Sequence, residues 1–284
     1  MSAVSRTAFF GTRRIGDATV TAISEGILPW APKLQAPEAE WRREVPEADA
    51  QGVFPLGLAV AHVRTGEASI LVDPGFDAPG SPHDSAFPGL VRTPGLQVAL
   101  DELGVAPAAI THVLITHTHT DHYAGVTGER NGARVPRYPN ARVFVGRADW
   151  EQSPQHSQPD SPLVAHLGTL ERLGLLDLVD EDREIVPGVS MLAAPGETAG
   201  HCVVRVRSAA GTFFYLGDLV HHACEIAHMD WVPAGRSAET LRESRERVLS
   251  EAAATGATVI YSHELFPPWG RAIREGDGYR WQRG

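Results

Sequence analysis

The chain has only two cysteines in 284 residues, Cys202 and Cys224. No disulfide framework is implied, and a reducing compartment, the cytoplasm, is expected. It has no apolar run long enough to span a bilayer, so no membrane partner is expected. The opening stretch, MSAVSRTAFFGTRRIG, carries an Arg pair, but Asp17 and alternating strand residues follow it instead of an apolar segment. A secretory or twin-arginine leader is therefore not expected. The chain is also short of positive charge, with 25 Lys and Arg against 35 Asp and Glu, a net −10. That balance excludes a general affinity for phosphate backbones, and with it nucleic acid as a partner. What remains is an ordinary globular composition, long enough for one α/β domain over residues 1–284. A small-molecule substrate is the natural partner, and a homodimer is compatible.

Against that plain background one stretch is dense in ligands. Thr116-His117-Thr118-His119-Thr120-Asp121-His122 follows Val113, Leu114 and Ile115, an apolar β-prone run that predicts a buried strand. An extended backbone sends His117 and His119 to the same side. Asp121 and His122 fall where the chain turns toward a helix and can face a second point nearby. Imidazole and carboxylate without thiolate suit zinc, manganese or iron.

The rest of the chain supplies partners in order. Residues 18–24 alternate as an opening strand. Residues 27–55 hold Trp30, Trp41 and Phe54 without a sustained period, predicting an irregular lobe with a short helix near Glu38–Arg43. Leu58–Val63 and Ala68–Val72 read as a hairpin running into Asp73-Pro74-Gly75. Gly95–Glu102, Leu163–Leu173 and Leu241–Ala254 read as helices, the last amphipathic and ended by Gly256. Arg142–Val145, Val189–Ala193, Val203–Val206, Thr212–Leu216 and Thr258–Tyr261 read as strands. Several of them deliver a ligand type at their ends: His201 in a Gly-rich loop, Asp218 after Gly217, and His263 after Ser262. His156 and His166, in the segment expected to cap this side, read as surface or packing residues because no partner accompanies either.

His-x-His-x-Asp-His after an apolar strand resembles the signature of the metallo-β-lactamase fold superfamily, and the order from Asp73 to His263 extends the resemblance over most of the chain. The resemblance implies an α/β fold, an αββα sandwich of two mixed sheets flanked by helices. It implies two divalent ions, Zn2+ first and Mn2+ or Fe2+ as alternatives. Carried over by position, one ion takes His117, His119, His201 and an oxygen of Asp218. The other takes Asp121, His122, His263 and the second oxygen of Asp218. Asp73 would orient a metal-binding histidine, which fixes a tautomer. Where the family has Pro-Gly-His-Thr-x-Gly-His, this chain has Glu197 in place of the first histidine, which is not a ligand. Two ions sharing a water lower its pKa from about 15.7 toward 7, so a bridging hydroxide needs no Ser or Cys nucleophile.

The substrate is narrowed by three features. Asp218 favours lactonase, phosphotriesterase and glyoxalase-like branches, and counts against true β-lactamases, leaving β-lactam hydrolysis as a side activity. The tail SHELFPPWGRAIREGDGYRW and the segment GDLVHH resemble methyl parathion hydrolase-like enzymes. His221 stands where acyl-homoserine lactonases carry a Tyr, and with Asp121 it is the catalytic candidate, as acid for the leaving group. The expected chemistry is hydrolysis of lactones, esters or phosphotriesters of neutral, fairly hydrophobic molecules. Trp30, Trp41, Phe54, Phe266 and Trp269 would line the pocket. The alternative is an iron-dependent, sulfur dioxygenase-like oxidoreductase; His119 argues against a flavodiiron site.

Overall fold

Short runs of small and β-branched residues, broken by glycine turns, make two sheets, one from each half of the chain. The computed structural model describes residues 8–77, 79–81 and 84–284; residues 1–7, on which part of the leader reading rests, lie outside the described residues. The first half gives β1 (Phe10–Ile15), β2 (Ala18–Trp30), β3 (Phe54–Thr65), β4 (Ala68–Val72), β5 (Val91–Arg92) and β6 (His112–Leu114). After a small hairpin of β7 (Thr127–Arg130) and β8 (Ala133–Pro136) come β9 (Arg142–Gly146) and β10 (Leu176–Val179). The second half gives β11 (Arg183–Val186), β12 (Val189–Ala193), β13 (Cys202–Ser208), β14 (Gly211–Tyr215), β15 (Thr258–Ile260), β16 (Gly270–Glu275) and β17 (Gly278–Arg283). The first sheet runs β1-β2-β3-β4-β6-β9-β10, with β5 on β2, and the second runs in sequence from β11 to β17. Both are mixed: β4, β6, β9 and β10 pair in parallel, as do β14 and β15, and the other pairings are antiparallel.

Alternation along the strands sorts side chains into three apolar layers. Ala59, Ala61 and Val63 of β3 face Val204, Val206, Phe213 and Tyr215 between the sheets. Val60, Leu71, Val113 and Val143 point outward against Leu96 and Leu100 of helix α2 (Gly95–Glu102) and Leu163 and Leu167 of helix α5 (Pro162–Arg172). Val203, Phe214 and Val259 point outward from the second sheet against Leu241, Val248 and Leu249 of helix α7 (Ala238–Ala254). This is the αββα sandwich. The shorter helices are α1 (Glu38–Glu44), α3 (Thr120–Tyr123), α4 (Arg147–Glu151) and α6 (Cys224–Ala227). Among the described residues no helix is long and apolar enough to cross a membrane.

Two expectations need correction. The opening strand does not stop at Ser24 but runs to Trp30, so the irregular lobe begins later and ends at Phe54, where β3 starts. The cause is a register shift between Ser24 and Gly26, which breaks the period-two pattern while β2–β3 pairing continues. The terminal hairpin β16–β17 was not anticipated either. Its exposed face carries Arg271 and Arg280, whose charges hide the alternation, while Ala272 and Tyr279 are buried.

Candidate metal centre

Because the parallel strands point the same way, their carboxyl ends open on one edge of the sandwich. Five connections meet there: Asp73 after β4, residues 116–122 after β6, residues 194–201 between β12 and β13, Gly217-Asp218 after β14, and Ser262-His263 after β15. Backbone hydrogen bonds stitch them together, from Cys202 N to Thr116 O at 2.8 Å, Ser262 N to Gly217 O at 3.1 Å and Gly57 N to His263 O at 2.9 Å. Gly217 is required: its φ is 58°, and a Cβ there would stand 2.8 Å from His201 Nε2 and from Thr116 Oγ1.

Two ligand clusters form at this edge. The chelating atoms of His117, His119, Glu197 and Asp218 lie within 4.8 Å of one another, and so do those of Asp121, His122 and His263. Asp218, His221 and His263 make a third grouping by the same measure. Asp218 joins them: its Oδ2 is 3.4 Å from His117 Nε2 and 3.1 Å from His263 Nε2, while its Oδ1 is 3.3 Å from His122 Nε2. The rings are fixed from behind. His122 Nδ1 donates to Asp73 Oδ2 at 2.8 Å and His263 Nδ1 donates to Gly57 O at 3.0 Å, so both Nε2 atoms face inward. His119, the most open of the group, has a side chain 40% exposed at the mouth.

His201 lies beside the first cluster and outside it. Its ring is 5.2 Å from that of His117, its Nδ1 donates to Ala194 O at 3.0 Å, and its Nε2 accepts from Asp218 N at 3.1 Å. The other two ligand-type residues of the segment's surroundings pack, as expected: His166 contacts Thr127 Oγ1 at 2.8 Å, and His156 lies 4.2 Å from the Trp150 ring. Cys202 turns away from the ligands, and burial pushes its thiol up to about 12.

The chemistry of the donor set fits divalent cations. His122 Nε2, Asp218 Oδ1 and Glu197 Oε2 are buried without a hydrogen-bond partner, a costly arrangement unless something positive sits between them. The charge balance agrees. Burial opposes a charge on His122, yet Asp218, Asp121 and Asp73 raise its pKa well above the usual range. Burial likewise works against ionised Asp218, but His122, His263 and His117 hold it well below the ordinary carboxylate range. Burial and His122 depress His117. These clusters are a binuclear metal-binding arrangement.

A cleft of about 410 Å³ opens onto it, walled by Leu28, Pro29, Trp30, Leu56, Phe87 and Pro88 and floored by His119, Asp121, Asp218, His221 and His263. Trp30 stacks on His221 at 4.7 Å, and Phe54 backs Trp30 edge-on at 6.0 Å. Of the five aromatics expected here only Trp30 lines the cleft; Phe54 is buried behind it, and the other three lie elsewhere. Trp41 is buried under the lobe with Leu34 and Val45. Trp269 lies between the sheets against Phe213, with the Arg13 guanidinium over its ring, and Phe266 lies against β1 near Gly11. Phe87 and Pro88 take their place, from a loop whose Pro-Gly composition gave no hint of a wall.

Sequence reading also missed the groups that hold the site. Asp149 of α4 accepts from Thr118 N at 2.9 Å, Thr198 Oγ1 at 2.8 Å and Gly200 N at 2.5 Å, tying two ligand loops together. Glu225 accepts from His221 N at 3.1 Å and faces His221 Nδ1 at 3.6 Å. Arg245, fully buried on α7, pairs with Glu225 and donates to Leu219 O and Trp231 O. Arg245 shares the buried face of α7 with Leu241, Val248 and Leu249, a charge at apolar spacing that the sequence reading passed over.

An αββα sandwich with a binuclear ligand set at the strand ends defines a class of metalloproteins. The profile of the metallo-beta-lactamase superfamily matches residues 59–263, and the chain belongs to that superfamily. It is 27% identical over 151 residues to an N-acyl homoserine lactonase of a Bacillus species, covering 49% of this chain and 54% of that protein. It is 24% identical over 184 residues to a probable metallo-hydrolase of Mycobacterium tuberculosis, covering 56% of each. The chain thus spans about half the length of the curated relatives it matches. Among solved structures it resembles AidC, a dizinc quorum-quenching lactonase, with a TM-score of 0.77 at 22% identity over 97% of both chains. It also resembles the hydrolase AbOPH, with a TM-score of 0.80 at 18% identity over 99% of both. These likenesses concern the fold.

Proposed function

We propose that this protein is a binuclear, zinc-dependent hydrolase of lactone or ester bonds, phosphotriesters included, in neutral and fairly hydrophobic small molecules. The observation that carries the reading is the placement of Asp218, with one carboxylate oxygen toward His117 and the other toward His122. His117, His119 and Asp218 would hold one ion, with His201 as the further ligand given by the family resemblance. Asp121, His122, His263 and Asp218 would hold the other. Ions held there supply an ionised water at neutral pH and polarise the substrate's carbonyl or phosphoryl oxygen.

The chain's own residues do the rest. The apolar wall of Leu28, Trp30, Leu56 and Phe87 takes the hydrophobic part of the substrate and strips water from it. Trp30 and His263 sandwich the His221 ring, stacked at 4.7 Å and 5.3 Å. Its Nδ1 side faces Glu225, so Nε2 is left toward the cleft, 3.4 Å from Asp218 Oδ2. From there His221 is placed to protonate the departing oxygen. The lactonase names of the Bacillus relatives support the substrate class, as does the wall. The reading takes residues 1–284 as one cytoplasmic domain.

Metal analysis combined with a hydrolysis screen of neutral lactones, aryl esters and phosphotriesters tests it. Two zinc ions per chain and turnover of at least one substrate class are expected. A single iron with no hydrolysis would replace this reading with an iron oxidoreductase.

A further inference from the structure

Glu197 stands out among the groups at the metal edge. It replaces a histidine of the family pattern, yet it is not a surface substitution, since its side chain is 1% exposed. It belongs to the first ligand cluster, within 4.8 Å of the chelating atoms of His117, His119 and Asp218. Its two oxygens have different surroundings. Oε1 accepts from Arg236 Nη2 at 2.5 Å and lies 3.5 Å from His119 Nδ1. Oε2 is buried without any hydrogen-bond partner, and His221 Nε2 lies 3.9 Å from it. A buried carboxylate oxygen left bare costs free energy unless a cation or donor meets it. Meanwhile the lone pair of His201 Nε2 already accepts from the Asp218 amide.

We propose that Glu197 is an additional ligand of the first metal position, joining His117, His119 and Asp218, and that Arg236 holds its carboxylate in place. The proposal rests on the binuclear reading above. It makes the first position richer in carboxylate than the family pattern, with Glu197 and Asp218 beside the imidazoles of His117, His119 and His201. Carboxylate donors suit manganese, whereas imidazole suits zinc, so this substitution shifts the first position toward harder cations. Arg236 lines the same cleft and neutralises the extra charge while no ion is bound.

The test uses the full chain stripped by chelator, dialysed, and titrated separately with Zn2+ against a chromophoric chelator and with Mn2+ by calorimetry. The wild type, Glu197→Gln and Arg236→Met are compared, with circular dichroism to establish that each is folded. Gln keeps the shape and a hydrogen bond to solvent or Arg236 but lacks the charge. The expected result is that Glu197→Gln weakens one of the two binding steps by at least about tenfold, more for Mn2+ than for Zn2+. Arg236→Met, which removes only the group that orients Glu197, is expected to weaken the same step by less than Glu197→Gln does. Unchanged affinities in Glu197→Gln would overturn the proposal. So would an equal loss in both variants, which would make Glu197 a mere counter-ion of Arg236. A wild type that takes up a single ion overturns the binuclear reading instead, and the variant comparison on that ion still decides the role of Glu197.

Discussion

Asp73 Oδ2 accepts from His122 Nδ1 at 2.8 Å while its Oδ1 accepts from Thr116 N at 2.7 Å, so one carboxylate sets both the ring and the strand end that carries it. Asp73 pays for this position with a left-handed backbone, φ 49°, which an L residue tolerates only when its surroundings hold it there. The relation fixes which nitrogen of His122 can serve a metal: Nδ1 is occupied, and Nε2 faces Asp218 at 3.3 Å.

Replacing Asp73 should therefore weaken metal binding without removing a ligand. Loss of such an outer partner typically costs about 10- to 100-fold in metal affinity. Asp73→Ala, titrated with zinc against a chelator, should show that loss in one of two steps. Wild-type affinity in both steps would show that packing alone orients His122.

Asp218→Ala removes both oxygens that face the clusters. It should lose at least one ion per chain by elemental analysis and most hydrolysis. Full metal content in a folded variant would end the bridging assignment.

Much of this arrangement was legible because its candidate ligands sit at strand ends, where short apolar runs and Gly-rich loops give local signals. His117, His119, Asp121 and His122 lie within one six-residue stretch after β6, and Asp218 and His263 each follow a plain β-run. What could not be read locally are the relations between distant segments. Arg245 reaches Glu225 from a helix 20 residues on, and Asp149 reaches Gly200 across 51 residues. Phe87 becomes a cleft wall only because Gly89 lets its loop pack on Pro29, where a Cβ would stand 2.6 Å from the ring. Trp269 misled for the converse reason. Its neighbours in sequence belong to the site's edge, but its ring turns into the core against Phe213.

Phe87 offers a test of the apolar wall, because it lines the cleft and packs on Phe76 at 4.9 Å. Phe87→Ala should raise KM for hydrophobic substrates by about three- to tenfold, the scale of a partly buried aromatic side chain. kcat should hold, since only uniform binding is lost. A fall in kcat at constant KM would place the ring in the chemical step.

Glu25, 2% exposed, links pH to stability. Burial drives its pKa from 4.5 to about 7, against the pull of Arg92 at 2.9 Å and the Leu96 amide. The folded pKa is raised, so the native state favours the protonated form. Its contribution is fully present below pH 4.5 and is lost as pH rises through about 7. A shift of this size corresponds to about 3 kcal/mol at most. Glu25→Gln in chelator should lose less stability than wild type between about pH 4.5 and 8 in urea titrations. Parallel pH profiles for the two proteins would show that Arg92 fully compensates the burial.

His221 should act on the leaving group and not on the nucleophile. Its ring is clamped between Trp30 and His263, its backbone amide and Nδ1 face Glu225, and its Nε2 opens on the cleft. A base at that point would add little, because ions held by the two clusters would themselves lower the pKa of a bound water. Protonating a departing alkoxide is different, since its conjugate acid has a pKa far above neutrality, and a positioned acid contributes about 10² to 10⁴ in rate. His221→Ala and His221→Phe should therefore cost alkyl lactones far more kcat/KM than nitrophenyl esters, whose leaving group needs no proton. His221→Phe keeps the stack on Trp30, so it separates lost packing from lost chemistry. Metal content is measured alongside, because His221 Nε2 lies 3.4 Å from Asp218 Oδ2 and could disturb it. An equal loss on both substrate types at full metal content would mean that the ring only braces Asp218 and His263, and that the proton comes from another group.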